Sequence, residues 1–135
     1  MSKFLTTEYA GPTKEILKFP DHYVALAVTV DDTNIAEDSD GKKIVLAGTV
    51  VGGVSNPVLA NEDEMVSVKN TQSVEDPEDP GTAVDAEGIL AYDVDVTHGP
   101  ASGAMIIHGF IDTGKLPEAP VAEAITALKQ ITLVE

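Results

Sequence analysis

The sequence predicts a mainly β protein: a small antiparallel β domain over residues 24–135, with one C-terminal helix, preceded by an extended N-terminal arm over residues 1–23. Three observations carry this prediction. Residues 24–30 alternate large apolar with small or polar side chains, the two-residue period of a half-buried strand. Further apolar and β-branched runs recur at 44–51, 88–96 and 104–111, separated by stretches rich in Gly, Pro, Asp and Asn. A helical period is confined to the stretch after Pro117.

The arm comes first. Residues 1–23 hold Phe4, Tyr9, Phe19 and Tyr23, four of the six aromatics in the chain, together with Pro12, Pro20 and three Lys. Their apolar positions follow neither a 3.6 nor a 2 period, so no regular amphipathic element is expected. Aromatic side chains gathered near a terminus serve either a docking site or an edge strand of the protein's own fold.

The strands follow in order. Val24, Leu26, Val28 and Val30 share one face, with Ala25, Ala27 and Thr29 on the other. Asp40-Gly41 is a turn signal, and Ile44–Val51 is a second strand expected to pair with the first as a hairpin. Gly52-Gly53 breaks the run, Ser55-Asn56-Pro57 turns it, and short apolar pieces follow at Val58-Leu59 and Met65–Val68. Ser73–Thr82, with two Pro and four acidic residues, reads as an exposed loop. Strands at Gly88–Val96 and Ala104–Ile111 are joined by a Gly- and Pro-containing connector. Pro117 and Pro120 then open a helix to about Lys129, with Val121, Ile125 and Leu128 as its apolar stripe, and Ile131–Val134 closes the domain as a strand.

Composition narrows the function. The 135 residues suffice for one core, and 43% hydrophobic with 23% charged residues fits a folded chain. Acidic residues number 23 against 8 basic, all Lys, for a formal net charge of -15. Such a surface repels phosphate backbones and anionic lipid, so neither nucleic acid nor membrane is an expected partner. Without Arg there is no bidentate fork for carboxylate or phosphate recognition. With no Cys, stability rests on packing or oligomerisation. No apolar run reaches signal-peptide or membrane-span length, which predicts a soluble protein made in a cytoplasm.

Few residues offer chemistry. Asp93 and Asp95 share a strand face, where alternation points them to solvent and Val94 and Val96 inward. Asp38-Ser39-Asp40-Gly41 resembles part of a calcium loop, but its first and last ligand positions are Ala36 and Ala47. His22, His98 and His108 lack the short spacing of a metal-ligand pair, and His108 reads as a strand residue with a satisfied ring nitrogen. No nucleophile elbow or phosphate loop is present. No catalytic residue, cofactor or metal is therefore expected. A calcium-dependent binding or adhesion module, using Asp31, Asp32, Asp93 and Asp95, is the alternative.

The runs Gly88-Ile89-Leu90, Val94-Asp95-Val96-Thr97 and Ala104-Met105-Ile106-Ile107-His108-Gly109-Phe110, with Lys43–Val50 and Ala127–Ile131, resemble the head decoration and head fibre proteins of tailed phages. The resemblance spans roughly half of the chain. It implies a barrel- or tulip-like β domain that forms a homotrimer on the outer face of a capsid, binds the major capsid protein and reinforces contacts between its subunits. It also implies a virion location after assembly in the host cytoplasm. Lambda-type members use an N-terminal arm against the capsid, which points to Phe4, Leu5, Tyr9, Ile16, Leu17 and Phe19 as contact residues here. The long lead-in and the acidic 73–82 loop depart from the compact lambda type.

Overall fold

The computed structural model describes residues 15–33, 35–69 and 86–135. Phe4, Leu5, Tyr9 and the Ser73–Thr82 loop lie outside them. The fold is mainly β. Its elements are β1 (Tyr23–Val30), β2 (Ile44–Val45), β3 (Val50–Gly53), β4 (Val66–Val68), β5 (Gly88–Leu90), β6 (Val94–Asp95), β7 (Ala101–Asp112), a 3-10 turn (Thr113–Lys115), α1 (Ala122–Ala127) and β8 (Ile131–Val134).

One six-stranded sheet, in the order β1-β4-β3-β5-β7-β8, curls partly into a ring because β1 also pairs with β7. The 12-residue β7 organises it. Along one edge it runs antiparallel to β1, and along the other it pairs with β5 and then with β8. Two pairings, β1 with β4 and β7 with β8, are parallel, so the sheet is mixed and not purely antiparallel. The hairpin expected between β1 and the 44–51 segment does not form. Ile44–Val45 pairs instead with β6, and Val50–Gly53 lies between β4 and β5.

Adjacent residues in the central strands face two different cores. Val28 and Val30 of β1, Val66 of β4, Val51 of β3, Leu90 of β5 and Met105 of β7 point into the ring, where Val45, Val58, Val94 and Val96 join them. Val50, Ile89, Ile106 and Ile111 point outward and are covered by Ile16, Leu17, Ala124 and Leu128, with Ile131 and Leu133 of β8 packed alongside. Burial on both faces explains why β5 and β7 read as continuous apolar runs. Each fully buried Ile, Leu or Met contributes about 1.5–3 kcal/mol of transfer free energy.

Other boundaries also shift. The expected 88–96 strand breaks at Ala91–Asp93 into β5 and β6, while β7 begins at Ala101 and extends to Asp112. The helix spans only six residues; its Ala124 and the Leu128 that caps it are buried, while Ile125 is exposed. Among the described residues, no helix is long and apolar enough to cross a membrane.

Candidate functional site

The chain enters the described fold along an edge of β7. Leu17 bridges to Ile111, the Lys18 N–H donates to the Phe110 carbonyl at 2.8 Å, and the Asp112 N–H donates to the Ile16 carbonyl at 2.9 Å. This two-residue pairing turns both Ile16, 1% exposed, and Leu17, 9% exposed, into the outer core. Their expected place among surface contacts is thereby corrected: a side chain closed in by Ile106, Ile111 and Leu128 has no area left for a partner. Among the described residues of that set, Phe19 is exposed, at 51%.

Beyond Phe19 the surface forms an aromatic and imidazole ridge. The Phe19 ring meets that of Phe110 edge-on, with centroids 5.3 Å apart. His22 lies 5.9 Å from Phe110 and 5.1 Å from His108, centroid to centroid. The Nε2 atoms of His22 and His108 are 3.1 Å apart, and His108 Nδ1 is 3.1 Å from the Gln130 carbonyl oxygen. That carbonyl can only accept, so Nδ1 carries the proton and donates. In the neutral ring Nε2 then holds a lone pair, and His22 Nε2–H donates to it.

Two backbone features place these rings together. The β1–β7 register shifts between Val24 and Ala25, where Ile107 of β7 is the extra residue, and Tyr23, Val24 and Ala25 at this end of β1 are all exposed. Across from Tyr23 stands Gly109 with φ +155°, where a Cβ would come within 3.2 Å of the Tyr23 Cβ. A side chain is disfavoured there on both counts. Ala25 and Ala27, further along β1, are exposed as well. The His22–His108 partnership escapes sequence reading because the histidines are 86 residues apart, and the exposure of Tyr23 and Val24 escapes it because periodicity does not show where a strand runs past the core.

The acidic candidates have local duties. Asp93 accepts the Ala47 N–H at 2.7 Å, and Asp31 accepts the Thr33 N–H and hydroxyl. Asp95 accepts the Thr97 hydroxyl and, at 3.0 Å, its N–H, and these two bonds, the hydroxyl first, hold its carboxyl below the usual 3.8. Among the described residues, no group of three or more His, Asp or Glu side chains is placed to hold a metal ion. Val94 and Val96 are buried and alternate with the exposed Asp93 and Asp95. A groove of about 550 Å³, lined by Pro57, Leu59, Ala86, Glu87, Ile107 and Lys129 among others, contains one carboxylate, Glu87, which accepts backbone N–H groups.

No family model matches the chain, and no curated protein matches it.

Proposed function

We propose that the chain is a structural protein that decorates the outer surface of a tailed-phage head, as a homotrimer that binds the major capsid protein and strengthens contacts between its subunits. The observation that carries this proposal is the group of exposed apolar residues at and just before the start of β1, Phe19, Tyr23 and Val24, on an otherwise strongly acidic chain. Apolar side chains clustered on a charged protein mark a contact surface. The resemblance to head decoration proteins supplies the class of partner. Two of the segments that carry it, Gly88-Ile89-Leu90 and Ala104–Phe110, meet in the β5–β7 ladder, with Ile89 opposite Ile106 and Leu90 opposite Met105, and β7 pairs on its other edge with β1.

The ridge suits such work chemically. It offers apolar area, while the net charge of -15 keeps the remaining surface solvated and repels nucleic acid. A trimer lets a small domain without Cys gain stability from shared burial.

The test is co-sedimentation of the purified protein with heads of the phage whose genome carries its gene, stripped of this protein. Saturable binding at a fixed ratio to capsid subunits is expected. Phe19→Asp combined with Val24→Asp should weaken it by more than about tenfold, since central interface anchors typically carry about 2 kcal/mol or more each. Light scattering should report three copies per particle. Absence of binding by the folded wild-type protein would overturn the proposal.

A further inference from the structure

We infer that His22 and His108 form a two-imidazole site for a divalent late-transition ion, with Cu²⁺ bound most tightly. The site is independent of the capsid proposal, because it rests only on the geometry of the two rings.

Three observations converge on it. First, the Nε2 atoms stand 3.1 Å apart. At metal–nitrogen distances of about 2.0–2.1 Å, that separation subtends about 95–100° at a shared ion. This angle falls between the about 90° of square-planar and the about 109° of tetrahedral coordination.

Second, His108 is already in the tautomer a metal requires. Its Nδ1–H donates to the Gln130 carbonyl at 3.1 Å, which fixes the ring and leaves the Nε2 lone pair outward. A backbone carbonyl on the far nitrogen is the usual outer partner of a ligating histidine. Third, the ligands come from two segments held in register. His22 precedes β1, His108 lies within β7, and the Val24–His108 and Tyr23–Gly109 pairs fix their approach. Little ordering remains to be done on binding, except that the exposed His22 must carry its proton on Nδ1 instead of Nε2, so that both Nε2 lone pairs are free for the ion.

Imidazole donors favour copper, nickel and zinc over calcium and magnesium, and divalent affinity peaks at copper. Among the described residues no third protein ligand joins the pair. Water therefore completes the coordination, on the open face of the ridge.

The test is a titration of the full-length protein with CuCl₂ near neutral pH, followed through the imidazole proton signals, with His98 as internal reference. Paramagnetic Cu²⁺ at substoichiometric amounts should broaden the His22 and His108 signals before those of His98. His22→Ala, or His22→Gln as a second variant, should weaken the response of His108 by at least about tenfold, the scale on which ligand-shell changes act. Excess Ca²⁺ should leave the broadening in place. Equal broadening of all three histidines, an unchanged His108 response without His22, or reversal by Ca²⁺ would each overturn the site. The last would assign the metal to surface carboxylates.

Discussion

The Oε2 atom of Glu87 accepts the backbone N–H of Gly53 at 2.6 Å, across 34 residues of sequence. The same oxygen takes the Val58 N–H at 2.9 Å, and Oε1 takes that of Leu59 at 3.0 Å. One side chain thus closes the loop that follows β3. Gly53 and Val58 are buried, so their N–H groups have no water to turn to. Glu87→Ala should cost about 2–4 kcal/mol, because an orphaned buried donor costs about 1–3 kcal/mol. Glu87→Gln should cost less, since its amide oxygen can replace Oε2. Urea unfolding of the two variants checks this, and a loss under about 1 kcal/mol for the alanine variant would show that the loop does not depend on the carboxylate.

Phe110 separates core from ridge. It is half-buried, whereas its β7 neighbour Ile106 is fully buried in the outer core. Ile106→Ala should therefore cost about 2–5 kcal/mol, and Phe110→Ala less than the about 3–5 kcal/mol of a fully buried Phe. A double-mutant cycle between Phe19 and Phe110 should return a coupling of about 0.5–1.5 kcal/mol for their edge-on contact. The reverse order of the two single losses would place Phe110 in the core.

Much of this architecture was readable from local pattern. Val28 and Val30 face inward as alternation predicts, and the 104–111 run is the middle of β7. The ends of β7 were not readable, since Ala101-Ser102-Gly103 looks like a connector. Gly103 is small for a packing reason, because a Cβ there would lie 2.8 Å from Val94 Cγ2. Strand partners were hidden too. Alternation says which face is buried but not which strand lies alongside, and β1 finds its partners in β7 and β4. Val24 shares the alternating face of Val28 and Val30 yet is exposed near the end of β1, which periodicity alone does not reveal. Of the stripe expected on the helix, Leu128 is buried and Val121 packs against the outer core, but Ala124 takes the inward place expected of Ile125, which is exposed. As for the ridge, Phe19 was readable as an aromatic near the terminus, while the His22–His108 pair exists only in three dimensions.

Asp95 supplies a pH-dependent contribution with a defined sign. The hydroxyl and N–H of Thr97 favour its ionised form and lower its folded-state pKa from 3.8. A group depressed on folding stabilises the fold fully above its unfolded value, and loses that contribution as pH falls through the folded one. Asp95→Asn should thus melt below the wild type at pH 7, and the gap should narrow as pH falls through and below 3.8. A gap that stays constant across this window would mean that the Asp95–Thr97 bonds do not discriminate the ionised carboxylate.

The start of the described chain decides what an N-terminal truncation does. An arm used only for docking would leave a folded domain when Met1–Phe19 is removed, with its melting temperature almost unchanged. The structure predicts the opposite. Ile16 and Leu17 lie in the outer core with Ile106, Ile111, Ala124 and Leu128, and residues 16–18 exchange backbone hydrogen bonds with β7 at Phe110 and Asp112. Removing them exposes Ile111 and the underside of α1, and strips two bonds from the edge of the longest strand. Ile16→Ala alone should cost about 2–5 kcal/mol, a large part of the roughly 5–15 kcal/mol by which a domain is stable. The Met1–Phe19 deletion should cost more and lower the melting temperature sharply. The two variants together make the measurement decisive. If Ile16→Ala is severe and the deletion more so, the segment is the outer wall of the fold. If both melt like the wild type, the pairing of Leu17 with Ile111 contributes nothing to stability, and the segment is free to act as an arm.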